Sequence, residues 1–148
     1  MRILHLSWEY PPVVYGGLGG HVHSLARAQA ASGHDVTVVT QAGHPAPPGL
    51  SLQEGVRVIR APVPPITLTE NDFLPWVRTL NGALARVARD EVADHAPAVI
   101  HAHDWVVGQA AHLLRTRWAV PLVTTIHATE AGRHQGWIVS DLSRAVDR

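Results

Sequence analysis

The sequence predicts an α/β sandwich: a mostly parallel, doubly wound sheet with helices on both faces. Three observations carry that prediction. The chain opens with a strand–helix–strand run, short β-branched runs then alternate with longer stretches of helical periodicity, and three polar clusters each follow directly on a predicted strand. Alternation of this kind joins parallel strands through crossover helices. Ligands of such sheets bind at the carboxyl ends of the strands, so three polar clusters gathered at one sheet edge point to a site.

Residues 2–7 (RILHLS) read as a buried strand, and residues 8–20 (WEYPPVVYGGLGG) as a proline- and glycine-rich loop. From Leu18, apolar residues recur at Val22, Leu25, Ala26 and Ala30, the spacing of a one-faced helix. Gly33 stands where a helix C-terminal glycine belongs, and Val36, Val38 and Val39 form a second strand. Residues 42–54 (AGHPAPPGLSLQE) read as a surface loop. Val56, Val58 and Ile59 make a third strand that ends before Pro62, and a second surface loop occupies 62–72. Asn71 or Asp72 is placed to cap a long helix over residues 73–94, with Leu74, Val77, Leu80, Leu84, Val87 and Val92 as its apolar stripe and Pro75 in its first turn. Residues 98–102 read as a strand, Asp104 as the cap of a helix over 105–117, and 121–126 as a β-branched strand. Ile138, Leu142 and Val146 lie four apart, which predicts a helix in the last dozen residues.

At 148 residues the length suits one domain with a sizeable core. Twelve basic residues balance twelve acidic ones, so no bulk field favours nucleic acid or an anionic membrane surface. The eleven histidines make the charge sensitive to pH. The absence of cysteine excludes disulfide and thiolate chemistry and is compatible with a reducing cytoplasm, the expected location. The N-terminal apolar run is broken by His5 and Glu9, unlike a signal peptide. No apolar run approaches the ~20 residues of a membrane span.

Gly16, Gly17, Gly19 and Gly20 fill four of five positions at a strand-to-helix junction. Without Cβ atoms their backbone can approach a ligand closely, and the amides of the next helix would face it; the same string also suits a plain connection. It is no dinucleotide fingerprint. Gly17-Leu18-Gly19-Gly20-His21-Val22 breaks the G-x-G-x-x-G spacing, eight residues separate strand from first glycine, and the second strand ends in Thr40-Gln41 without a ribose-binding acid. No P-loop string is present. Glu9 and Tyr10 flank the loop.

His101-Ala102-His103-Asp104-Trp105 puts two imidazoles on one face of a strand. Metal chemistry is one reading, packed strand-end histidines another. Against metal, Asp104 follows His103 without a spacer, and an amidohydrolase-type site would sit in a barrel of ~250 residues. Asp104 and Trp105 suit a carbohydrate better, because carboxylates accept hydroxyl hydrogen bonds and indole faces pack on sugar rings. His127, Glu130 and Arg133 form the third cluster. A glycosidase pair of Glu130 with Asp104 or Glu9 and a simple helix cap by Thr129 or Glu130 both remain open.

These clusters carry a resemblance. The strings MRILHLSWEYPPVVYGGLGGHVHSLARA, ASGHDVTVVT, VIHAHDW and TIHATEAGRHQGW resemble the N-terminal half of retaining family-four glycosyltransferases, especially bacterial glycogen-synthase-like α-glucosyltransferases. The resemblance implies a GT-B enzyme: two Rossmann-like domains across a cleft, with no required metal or cofactor. Residues 1–148 would be a single acceptor-side domain, truncated, with the donor-binding carboxyl-terminal domain absent. Such a piece should be inactive alone, and its open sheet edge would invite self-association. The whole enzyme would move a sugar, glucose, from a donor of the ADP- or UDP-glucose type to a glucan or other carbohydrate acceptor with retention. His127 and Asp104 take the catalytic positions by motif. Glu9, Tyr10, Gly16, Gly17, Gly19, His103, Trp105, Glu130 and Arg133 take substrate-binding ones. A non-catalytic carbohydrate- or phosphate-binding module, or a small glycoside hydrolase, are the alternatives.

Overall fold

The computed structural model describes residues 1–66, 70–92 and 95–129. The helix expected in the last dozen residues, with Glu130 and Arg133, lies outside them. The described chain runs β1 (Arg2–Leu6), α1 (Gly17–Ala31), β2 (Asp35–Gln41), β3 (Gly49–Gln53), β4 (Val56–Ala61), α2 (Glu70–Val92), β5 (Val99–His103), a 3-10 turn (Trp105–Val107), α3 (Gly108–Trp118) and β6 (Leu122–Thr125). The strands form one six-stranded sheet in the order β3-β4-β2-β1-β5-β6. Every pair is parallel except β3 with β4.

Strand alternation sorts the apolar residues between two layers. Leu4 and Leu6 of β1, Val39 of β2, Ile59 of β4 and Ile100 of β5 pack with Leu80, Leu84 and Ala88 of α2 and Leu114 of α3. On the other face, Val36, Val38, Val56 and Val58 pack with Leu18, Val22 and Ala26 of α1 and with Tyr10. Helices therefore cover both faces, as the sequence predicts. Each fully buried Leu or Ile contributes roughly 1.5–3 kcal/mol of transfer free energy, which makes the α2 layer the larger stabilising contact.

Three expectations need correction. Residues 42–54 are not all loop, because Gly49–Gln53 pairs antiparallel with β4 as an edge strand. Its period-two leucines, Leu50 and Leu52, point outward and are 53% and 74% exposed, so the alternation marks a strand without marking a core. Glu54 and Gly55 close the hairpin with φ of 49° and 83°, the positive values a two-residue turn between twisted strands requires. Second, α2 begins at Glu70, upstream of the expected caps, so Pro75 is its sixth residue and one intrahelical bond is forfeited. Third, Asp104 caps the 3-10 turn Trp105–Val107, and α3 starts only at Gly108.

Gly19 was expected to approach a ligand; instead it faces the protein. A Cβ there would lie 2.5 Å from Val14 Cγ1 and 3.2 Å from Glu9 Cβ, so its missing side chain lets α1 sit against the preceding loop. A Cβ on Gly16, Gly17 or Gly20 would meet nothing within 4 Å. Gly19→Ala should therefore destabilise the chain by about 1–3 kcal/mol. Gly20→Ala, in an exposed helical position, should be neutral or stabilising by up to ~1 kcal/mol. Urea denaturation of the two variants checks the contrast, and equal midpoints would contradict the packing role of Gly19.

Candidate functional site

From β1 the chain moves to β2, then to the edge strand β3 and back through a hairpin to β4 beside β2, before α2 carries it to β5 on the other side of β1. The direction of winding reverses between β1 and β5, and a doubly wound sheet opens a crevice at that reversal. The glycine loop leaves β1, Asp104 leaves β5 and His127 follows β6, so the three polar clusters share this edge.

At its centre is a line of imidazoles. Gln29 Oε1 of α1 lies 2.7 Å from His5 Nε2, His5 Nδ1 lies 2.9 Å from His103 Nε2, and His103 Nδ1 lies 3.4 Å from His127 Nε2. With Gln29 as acceptor, His5 donates from Nε2 and accepts at Nδ1. His103 then donates from Nε2 and keeps its Nδ1 lone pair towards His127. His101 pairs in register with His5, stacks on His103 at 4.2 Å between ring centroids and bonds Thr125 Oγ1 at 2.8 Å. Burial pushes these imidazoles towards the neutral form. His5 falls to about 4, through desolvation first, with His101 and His21 adding and the Gln29 bond opposing. His103 falls to about 2, through desolvation and then His101, His5, His127 and His21. His127 is also lowered, by desolvation and then His21, while Asp104 and Glu9 pull the other way.

Both carboxylates of the crevice bond backbone amides. Glu9, buried, accepts from Tyr15 N at 2.8 Å and Gly16 N at 2.9 Å through Oε2. It thereby places negative charge at the amino end of α1, where the helix dipole favours it. Asp104 Oδ1 accepts from Trp105 N at 2.9 Å. Its backbone stands at φ 71°, ψ 166°, a region that is essentially glycine-only, at an expense of order 1–3 kcal/mol. The Asp104 N–H···O Thr125 bond of 2.8 Å holds it there.

Tyr10, expected to face substrate, is fully buried beneath the loop in the α1 layer. Its position is set by Arg60, whose guanidinium donates to the carbonyls of Tyr10, Pro11 and Gln41 and lies 5.9 Å from the Tyr10 ring. His103 is likewise buried, and meets the crevice at the rings of His127 and His21. Trp105 is half-buried against Phe73. Gly16 and Gly17 are exposed.

The structure adds residues that the sequence reading did not single out. Asn81, buried on α2, donates to Val77 O and Val106 O and accepts from Ala110 N, each at 2.7 Å, which clamps the turn behind Asp104. A polar residue three before Leu84 and four after Val77, on the apolar stripe, is its signal. Arg60 continues the inward alternation of Val56 and Val58, the comparable signal for a buried cation. Trp8 stacks on the 52% exposed ring of Tyr15 at 5.4 Å, and contacts continue through Trp76 and Phe73 to Trp105. A separate groove at the ends of β2 and β4 is lined by Pro45, Pro47, Pro48, Pro62 and Pro64, with His44 the one titratable residue among the described lining.

Residues 16–148 match the model of the glycosyl transferase 4-like domain. The chain belongs to that family. It is 46% identical over 157 residues to a glycogen synthase of Mycobacterium tuberculosis, covering 99% of this chain and 38% of that protein. It is 37% identical over 115 residues to a D-inositol 3-phosphate glycosyltransferase of Xylanimonas cellulosilytica, covering 76% of this chain and 27% of that one. The solved sucrose-phosphate synthase of Thermosynechococcus elongatus superposes with a TM-score of 0.72 at 21% identity, over 97% of this chain and 36% of that one, a likeness of fold. The chain thus spans about two fifths or less of the length of the curated relatives it matches.

Two predictions follow from the geometry of this family member's crevice. Asp104→Ala and Asp104→Gly both remove the bond to Trp105 N, but only alanine keeps the backbone strain. The glycine variant should be the more stable of the two by about 1–3 kcal/mol, and equal urea midpoints would contradict the strain. An unfolded histidine titrates near ~6.5, well above His5 and His103 in the fold. Their contribution to stability is present above that value and is lost as pH falls towards about 4 for His5 and about 2 for His103. The slope approaches about 1.4 kcal/mol per pH unit for each histidine. Denaturation midpoints should fall from pH 7 to pH 5, and a constant midpoint over that range would exclude the buried neutral imidazoles.

Proposed function

We propose that residues 1–148 form the acceptor-side wall of a GT-B glycosyltransferase site. In the whole protein this wall serves transfer of glucose from a donor of the ADP- or UDP-glucose type to a glucan or other carbohydrate, with retention. The observation that carries the reading is the gathering of His127, Asp104 and Glu9 on the segments that leave β6, β5 and β1 at the β1/β5 reversal, beside the open backbone of Gly16 and Gly17. The second wall, which binds the donor nucleotide, would come from another Rossmann-like domain of the whole protein.

The chemistry fits the residues. Departure of a nucleoside diphosphate leaves positive character on the sugar, so groups that offer electron density where that charge develops lower the barrier most. A neutral imidazole at His127 offers a lone pair and adds no opposing charge, and its lowered pKa favours that state. Asp104 and Glu9 stand close enough to bias the same ring. The exposed face of Tyr15, backed by Trp8, and the half-buried Trp105 supply aromatic surface for sugar rings. The name of the 46% identical relative supports a glucan acceptor, and that of the inositol-phosphate relative keeps the acceptor class wider.

In the whole protein, His127→Ala should lower kcat by roughly 10²-fold or more while the acceptor KM moves far less. Steady-state kinetics decide this, and an unchanged kcat removes His127 from the chemistry. Calorimetric titration of the 148-residue chain with maltooligosaccharides, ADP-glucose and UDP-glucose tests the division of labour. Tight nucleotide-sugar binding by this chain alone would overturn it.

A further inference from the structure

The imidazole line ends in a second arrangement, which shares His127 with the proposed sugar-transfer site. His21 on α1, His103 on β5 and His127 after β6 offer three ring nitrogens that all lie within 4.8 Å of one another. We propose that these three side chains form a mononuclear site for a divalent transition-metal cation of the zinc class, at the solvent-facing mouth between α1 and the β5–β6 edge. The assignment stands on the three rings alone; a cation on His127 would add the positive charge that the proposed transfer role excludes, so cation and sugar transfer compete for this ring.

Distances favour it. His103 Nδ1 and His127 Nε2 face each other at 3.4 Å. Two nitrogens each about 2.0–2.1 Å from one tetrahedral zinc are themselves roughly 3.3–3.4 Å apart, so that pair already has the separation of two ligands. The His21 ring stands edge-on to both, with centroids 5.0 Å from His127 and 5.9 Å from His103. It is exposed, and its ring nitrogen already lies within 4.8 Å of the other two. Three imidazoles select zinc, cobalt, nickel or copper over magnesium and calcium, which take oxygen ligands.

The support behind His103 is that of a built ligand. A metal-bound histidine needs its other ring nitrogen held, which fixes the tautomer and the ring orientation. His103 donates from Nε2 to His5 Nδ1 at 2.9 Å, and His5 is anchored in turn on Gln29, so the lone pair of His103 Nδ1 points outward. A second group of ligand-sized spacing, His5, His101 and His103, is the poorer candidate. Both nitrogens of His5 are engaged, His101 Nε2 bonds Thr125, and His5 is fully buried. With three protein ligands among the described residues, a fourth position is left for an exchangeable ligand.

Calorimetric titration of the metal-free 148-residue chain with zinc chloride tests the assignment, and cobalt titration followed by visible absorption reports the geometry. One cation per chain is expected, with the intense cobalt bands of a four-coordinate site, and magnesium chloride should give no heat of binding. His21→Ala, or His21→Gln as a second variant that keeps the bulk, should weaken zinc binding roughly tenfold or more while circular dichroism stays unchanged. His23→Ala, on the same helix but outside the triad, should bind as the parent does. Zinc affinity within about twofold of the parent in both His21 variants would overturn the proposal, whether the cation then sat on the inner group or on scattered surface histidines. So would a parent chain that does not bind zinc.

Discussion

A single hydrogen-bonded line holds the crevice together: Gln29, His5, His103 and His127, contributed by a helix, two neighbouring strands and the segment after a third. Polar rings in the middle of a sheet are tolerable only when their nitrogens are paired, because an unmet buried donor or acceptor costs about 1–3 kcal/mol. Each imidazole here satisfies its neighbour. The register of β1 against β5, which sets His5 opposite His101, is therefore tied to the position of α1 through Gln29. The outermost ring, His127, inherits its orientation from that chain.

The two carboxylates play a complementary part. Glu9 and Asp104 both bond main-chain amides, and in doing so they shape the loops that flank the crevice. Glu9 gives the glycine-led helix the anionic cap that Gly16 cannot supply from a side chain. Asp104 holds a backbone conformation that a side-chain-bearing residue rarely adopts, with Asn81 securing the turn that follows it. Strain of this kind persists only where the surroundings over-determine it. Their charge nevertheless reaches the site, since both act on His127.

Much of the fold was legible because its signals are local. Val36, Val38 and Val39 announce a strand, Leu80, Leu84 and Val92 a helix stripe, and Gly33 a helix end that the structure realises at φ 84°. The edge strand β3 escaped because its leucines face solvent, so its alternation carried no burial signal. Within the site, Asp104 and His127 were legible as polar residues following strands. Asn81 and Arg60 were not singled out, because their roles depend on carbonyls brought near by other elements.

The sequence by itself determined the class of fold and the edge where the polar clusters gather, since periodicity, turn residues and strand-end polar clusters are properties of neighbouring residues. Tertiary structure alone decided which way each loop residue faces. Tyr10 and Gly19 turn into the core, while Gly16 and Gly17 stay open in the same short string. It also decided that His5 would meet His103, ninety-eight residues away. The physical reason is the same in both cases. Facing and partnership are fixed by packing and strand register across the sheet, and no local pattern encodes a contact between strands that far apart in the chain.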